Sequence, residues 1–198
     1  MLAMFTRKIA NGNVNDQLIE LHFRWGVMGL GDIGSRVAKA VAAFEYPTFG
    51  WSRTAKSLSG ITTFAGRKGL DEFLQHVQVL VCVLPLTPDT EDILNTTTFA
   101  KLKPNAYLIN VARGRHLVES DLLTMLDNGH LAGAALDVFR DEPLPAQHAF
   151  WTHPKITITP HISAITLRAE SVLQIAEKIR ALARGDAVDG VVEGGRGY

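Results

Sequence analysis

Residues 24–41 read RWGVMGLGDIGSRVAKAV, which sets Gly29, Gly31 and Gly34 in G-x-G-x-x-G spacing between a strand-like WGVM and a helix-like SRVAKAVAAF. The spacing has a steric meaning. The first glycine permits the tight turn out of the strand, the second lets backbone approach a pyrophosphate, and the third lets the new helix pack closely on the strand. Free amides at the start of that helix then face an anion, and the helix dipole favours it. The segment points to a dinucleotide site on a parallel sheet.

The second strand decides which dinucleotide. About 20 residues past such a loop an acidic residue bonds the ribose hydroxyls of NAD. Here the chain reads PTFGWSRTAKS, with no Asp or Glu between Glu45 and Asp71, and it offers Ser52, Arg53, Thr54 and Lys56 instead. A carboxylate would repel a 2′-phosphate, whereas a guanidinium binds one bidentately. NADPH is therefore expected in preference to NADH. Without the glycine motif upstream, the same residues would read as a solvated basic loop.

With 198 residues there is room for one good-sized core and a small appendage. Twenty basic and twenty acidic residues cancel, so bulk charge suggests neither nucleic acid nor an anionic membrane as partner. The longest apolar run, VQVLVCVLPL, is too short to span a bilayer, and the start of the chain lacks a signal-peptide core. A cytosolic protein is expected. The single cysteine, Cys82, lies inside that run and reads as a buried core residue. The histidines show no metal-binding spacing with cysteines or carboxylates, so no metal is expected.

From Arg24 onward, apolar β-rich runs alternate with helical patterns, the signature of an α/β doubly wound parallel sheet. The expected strands are WGVMG, PTFGWS, ITTFA, VQVLVCVL, AYLINVA, LAGAALDVF and ITITP. In SDLLTMLDNG, Ser120 reads as the N-cap, Leu122, Leu123 and Leu126 share a face, and Gly129 suits a left-handed C-cap. In ITLRAESVLQIAEKIRALARG, Val172, Ile175, Ile179 and Leu182 form one stripe that calls for a partner surface. The tail VVEGGRGY reads as loosely ordered, and the first 22 residues carry no independent function.

Three later segments deliver polar residues just past strand ends, the ligand edge of an open parallel sheet. Arg113 follows AYLINVA, Glu142 follows LDVF and His161 follows ITITP. Each alone reads as readily as an ordinary loop residue; their order at successive strand ends is what points to function. An arginine can bind a substrate carboxylate and polarise its carbonyl. A histidine can deliver a proton to the developing alkoxide, and a glutamate can orient and charge that imidazole. Together they suit hydride transfer between a nicotinamide and a 2-oxo acid.

The combination GLGDIG, WSRT-x-KS, LPLTPDT, NVARG, LDVF-x-x-EPLP and TPHISAIT resembles the D-isomer-specific 2-hydroxyacid dehydrogenases, especially their glyoxylate/hydroxypyruvate reductase A branch, from about Phe23 onward. The resemblance implies a Rossmann-type dinucleotide-binding domain over residues 23–164. Residues 1–22 are then an unmatched segment, and residues 165–198 are a helix and tail left from a discontinuous substrate domain. It implies Arg113, Glu142 and His161 as the catalytic trio and Asp137 near the nicotinamide carboxamide. Leu84 and Pro85 line the cofactor cleft, and Ser52, Arg53, Thr54 and Lys56 surround the 2′-phosphate. Asp32, Ile33, Val111 and Ala112 join the glycines as cofactor contacts. The implied reaction is NADPH-dependent reduction of glyoxylate or hydroxypyruvate, in a homodimer built through the nucleotide-binding lobe. Family members place a substrate domain ahead of the glycine motif, and 22 residues precede Phe23 here. Cofactor binding with weak or absent turnover is therefore expected. The alternatives are a cofactor-binding module without turnover and, more remotely, a corepressor-type interaction protein.

Overall fold

The computed structural model describes residues 23–164 and 167–191. Seven strands form: β1 (Trp25–Met28), β2 (Thr48–Ser52), β3 (Thr62–Ala65), β4 (Val79–Cys82), β5 (Ala106–Asn110), β6 (Leu131–Leu136) and β7 (Ile156–Ile158). They build one parallel sheet in the order β3-β2-β1-β4-β5-β6-β7. All seven expected strands are present, trimmed at their ends where the chain turns into loops.

Alternation within each strand divides the core between the two faces of the sheet. Val79 and Val81 join Trp25, Val27, Ile109 and Ala135 on one face, where helix α1 (Asp32–Ala42) covers them through Ala38 and Val41. Leu80 and Cys82 join Met28, Leu108 and Leu136 on the other. That face is covered by α2 (Gly66–His76), α3 (Thr96–Phe99) and α4 (Glu119–Asp127), through Phe73, Phe99, Leu122 and Leu126. Helices on both faces make the fold doubly wound. Burial pushes the Cys82 thiol up to about 12, so it is the inert core residue the sequence suggests.

One local expectation is corrected. The N-cap of α4 is Val118, not Ser120, which lies inside the first turn. The cause is tertiary: the Val118 amide donates to the Leu94 carbonyl at 3.0 Å and Leu117 bridges Leu94, which holds the chain extended up to Val118. Gly129, by contrast, adopts φ +80 just past the helix, as its position suggests. Helix α5 (Arg168–Ala183) buries no residue. Val172, Ile175, Ile179 and Leu182 form the expected stripe, but it is 57–64% exposed, because no described residue packs over it.

The strand order reverses direction between β1 and β4, and the glycine loop leaves β1 at that point. In such sheets the ligand crevice opens there. Gly29 turns at φ +102, a left-handed conformation in which its missing side chain matters. A Cβ on Gly34 would lie 1.7 Å from the Gly29 carbonyl oxygen, so only glycine lets α1 sit this close to β1. A Cβ on Gly31 would meet nothing within 4 Å; it would enter open space in front of the loop. The two positions therefore predict opposite outcomes. Gly34→Ala should lower the free energy of unfolding by about 2–3 kcal/mol through overpacking. Gly31→Ala should leave it within about 0.5 kcal/mol. Urea denaturation of the two variants checks the contrast.

Candidate active site

The first half of the site is an anion cradle. Gly31 is the N-cap of α1 and makes no side-chain cap, so the first amides of the helix keep their donors facing the open space before the loop. That space and those donors fit a pyrophosphate. Asp32 and Ile33 stand exposed on the first turn, with Asp32 paired to Arg36 at 3.3 Å. At the end of β2 the Ser52 hydroxyl donates to the Thr54 carbonyl at 2.8 Å and thereby shapes the turn. Arg53, Thr54 and Lys56 are exposed there, and neither cation forms an ion pair among the described residues. Two free cations with no carboxylate beside them fit a 2′-phosphate. Leu84 is buried and Pro85 half-buried just past β4, across the switch point from the glycine loop.

The second half lies past β5, β6 and β7. Backbone hydrogen bonds continue beyond the strands and bind these ends together: Asp137 to the Asn110 carbonyl at 3.0 Å, Thr159 to the Leu136 carbonyl at 3.0 Å, and His161 to the Asp137 carbonyl at 2.9 Å. His161 Nδ1 meets Glu142 Oε2 at 2.8 Å, and both side chains are part-exposed. The second carboxylate oxygen of Glu142 accepts from the Phe139 amide at 3.0 Å. Partial burial works against ionisation of Glu142, but His161 and that amide outweigh it and hold the carboxyl below the usual glutamate range. With Nδ1 engaged, His161 has Nε2 left for a substrate. Val111 and Ala112 lead out of β5 to Arg113, which is exposed and folds one guanidinium nitrogen onto the Ala112 carbonyl at 2.6 Å. The structure thus brings Glu142 and His161 into direct contact, and it places Arg113 on the adjacent loop without a side-chain bond to either.

Asp137 has a role the sequence did not disclose. It is buried, and its carboxylate accepts from the amides of Ile162 and Ser163 at 2.9 Å each and from the Thr159 hydroxyl. Burial opposes its charge, yet these donors together with the Ser163 side chain hold it below the usual aspartate range. It fastens the loop on which His161 sits in a left-handed conformation, φ +52.

Three more residues were missed. Gly114 allows the Arg113 loop to lie directly on Phe139, where a Cβ would come within 1.8 Å of the carbonyl carbon. His116 is fully buried between the Arg113 and Pro85 carbonyls, at 3.0 and 3.2 Å, and burial lowers its affinity for a proton. Arg140 pairs with Asp92. The sequence signal for Gly114 was its place immediately after Arg113. His116 and Arg140 depend on loops distant in sequence and gave none. Among the described residues no group of three or more His, Cys, Asp or Glu side chains could hold a metal ion.

The family model for the NAD-binding domain of D-isomer specific 2-hydroxyacid dehydrogenases matches residues 5–163. The chain is 47% identical over 176 residues to a glyoxylate/hydroxypyruvate reductase A of Yersinia enterocolitica, covering 89% of this chain and 56% of that protein. Among solved structures, it superposes with a TM-score of 0.86 and 40% identity on a D-isomer specific 2-hydroxyacid dehydrogenase from Xanthobacter autotrophicus Py2 in complex with NADPH and MES, covering 89% of this chain and 73% of that one. A TM-score of 0.84 and 38% identity relate it to an NADPH-dependent glyoxylate/hydroxypyruvate reductase from Sinorhizobium meliloti in complex with NADP and sulfate, over 89% of this chain and 57% of that one. The chain thus spans little more than half the length of the reductase relatives it matches.

The Asp137 geometry carries a pH dependence with a definite sign. A carboxyl whose folded pKa is depressed contributes stability that is complete above its unfolded value, about 4, and lost as pH falls through the lower folded value. Asp137→Asn should therefore reduce stability at pH 7 by about 1–3 kcal/mol, the cost of buried donors left poorly paired. It should also flatten the acid limb of the stability curve. Urea midpoints from pH 7 down to pH 3 for the two proteins check both.

Proposed function

This chain belongs to the D-isomer specific 2-hydroxyacid dehydrogenases, and from that membership we propose that it binds NADPH and serves the reduction of a small 2-oxo acid, glyoxylate or hydroxypyruvate, to the 2-hydroxy acid. The observation that carries the reading is the contact of His161 Nδ1 with Glu142 Oε2 at 2.8 Å, at the ligand edge of the sheet and beside the Arg113 loop. The relatives described as NADPH-dependent or holding NADP support the cofactor. The Arg53 and Lys56 pair supports its phosphorylated form.

In this reading the glycine loop and the first amides of α1 hold the pyrophosphate, Arg53 and Lys56 hold the 2′-phosphate, and Leu84, Pro85, Val111 and Ala112 line the cleft. The nicotinamide, when bound, supplies the hydride. Arg113 binds the substrate carboxylate with its fork of donors. His161, protonated, gives its Nε2 proton to the oxygen of the reacting carbonyl as negative charge develops there. Glu142, ionised at neutral pH, keeps the ring oriented through Nδ1 and stabilises the imidazolium. Asp137 secures the loop that presents the ring.

We infer assembly as a homodimer through the nucleotide-binding lobe. The exposed Phe44, which lines one apolar pocket with the half-buried Val37 and Tyr46 on the α1 side, supports it. Light scattering that returns a monomer at all concentrations would refute it. A cytosolic setting belongs to the same reading. Among the described residues, no helix is long and apolar enough to cross a membrane. A second reading, cofactor binding with little turnover, is favoured by the uncovered stripe of α5 and by the half-exposed His161.

Calorimetric titration should find NADPH at least tenfold tighter than NADH, about one charge-assisted contact, with Arg53→Asp cancelling or reversing the preference. Equal affinities for the two cofactors would overturn it. Glyoxylate reduction followed at 340 nm separates the two readings. If the chain turns over, His161→Ala should lower kcat by about a hundredfold or more while NADPH affinity holds. NADPH binding without measurable reduction selects the second reading.

A further inference from the structure

The loops bearing Arg113 and Glu142 meet at a point where no side chain fits between them. A Cβ on Gly114 would lie 1.8 Å from the Phe139 carbonyl carbon and 2.4 Å from the Arg140 nitrogen. Next to this contact stand two arginines, one from each loop. Arg115 reaches Glu91 through Nε at 3.1 Å and Nη2 at 2.6 Å. Arg140 donates Nη1 to Asp92 and also to the Leu117 carbonyl at 2.9 Å, and lies 3.8 Å from Glu91. Both therefore converge on one acidic dipeptide. That dipeptide is itself fixed: Asp92 turns at φ +56, its amide donates to the Arg115 carbonyl at 3.0 Å, and its own carbonyl accepts from the Asn95 side chain at 2.7 Å.

We propose that Arg140 is the positioning residue of the Glu142–His161 couple: anchored on Asp92 and the Leu117 carbonyl, it clamps the Phe139–Glu142 turn against the Arg113 loop and so holds Glu142 against the imidazole. The lever is short. Phe139, one residue from the clamp, donates its amide to one oxygen of Glu142, and the other oxygen receives His161 Nδ1. Release of Arg140 frees the turn, lengthens both contacts and leaves the proton couple unformed before substrate arrives. A lone exposed ion pair contributes little. Arg140 differs in combining two carboxylates with a backbone acceptor, and its side chain is only 33% exposed. The guanidinium bonds Asp92 and the Leu117 carbonyl. The groups that set the Glu142 charge are His161 and the Phe139 amide, with Asp137 opposing.

The proposal rests on the reading of Glu142 and His161 as the proton couple, and its test needs no turnover. The full chain is labelled with [13Cδ]glutamate, and the Glu142 resonance, identified by its loss in Glu142→Gln, is titrated with pH. In the wild type it should titrate below an ordinary glutamate. Arg140→Met and Asp92→Asn should both move it upward, by about half a pH unit or more, toward the value in His161→Gln, and Arg140→Lys should restore part of the change. The two first variants separate positioning from charge. If Arg140 acted on Glu142 only through space, its removal would raise the midpoint and neutralising Asp92 would lower it. Shifts of opposite sign, or an unchanged midpoint in variants whose near-ultraviolet circular dichroism is native, overturn the proposal. Should Arg140→Met not fold, Asp92→Asn, a change at a part-exposed partner, decides alone. Failure to reduce glyoxylate would count against the assigned reaction and leave this result standing.

Discussion

Everything at the ligand edge depends on the parallel registry of the strands. Because β1, β4, β5, β6 and β7 run the same way, their exits lie on one side, and the polar loops that follow them must share it. The registry does not stop where the strands do. The hydrogen bonds from Asp137 to Asn110, Thr159 to Leu136 and His161 to Asp137 carry it into the loops. The position of an exposed histidine is thereby fixed by backbone bonds that trace back to the buried Leu108 and Leu136.

Two carboxylates a few residues apart show how environment assigns roles. Asp137 is buried, and several donors of the chain occupy its oxygens, so it holds structure together. Glu142 is part-exposed and shares its charge between one amide and one imidazole, so it holds the histidine ring in place. Both are kept ionised, the first against nearly complete burial. The same contrast separates the histidines. His161 has a free nitrogen at the surface, whereas His116 is enclosed between two carbonyls and is held toward its neutral form. Residue type alone would not distinguish them.

What could be read in the sequence was what depends on local spacing and on strand order. The seven strands, the steric demands at Gly29 and Gly34, and the convergence of Glu142 and His161 all follow from patterns within a strand and its exit. Contacts made across long sequence separations were not legible. The Leu117–Leu94 bridge moved the start of α4 away from Ser120, a better capping residue, because pairing outside the helix held Val118 extended. Gly114 faces Phe139 and Arg140 faces Asp92 only once β5 and β6 are paired. The α5 stripe was legible as a stripe, but periodicity states that a face wants cover without supplying it.

The exposure of the site separates the two capacities proposed for it. In the proposed reading, cofactor recognition draws on the glycine loop, the start of α1, and Arg53 and Lys56, all local to one edge of the sheet. Hydride transfer asks for more, since a developing alkoxide and an imidazolium are stabilised by fixed donors chiefly where water is kept out. With the His161 side chain at 49% exposure and that of Glu142 at 37%, the described residues leave the couple in contact with solvent. The pair is already assembled, so what remains for chemistry is cover rather than rearrangement. A surface that closes over His161 would strengthen each of these interactions by excluding water, without moving any strand that holds them.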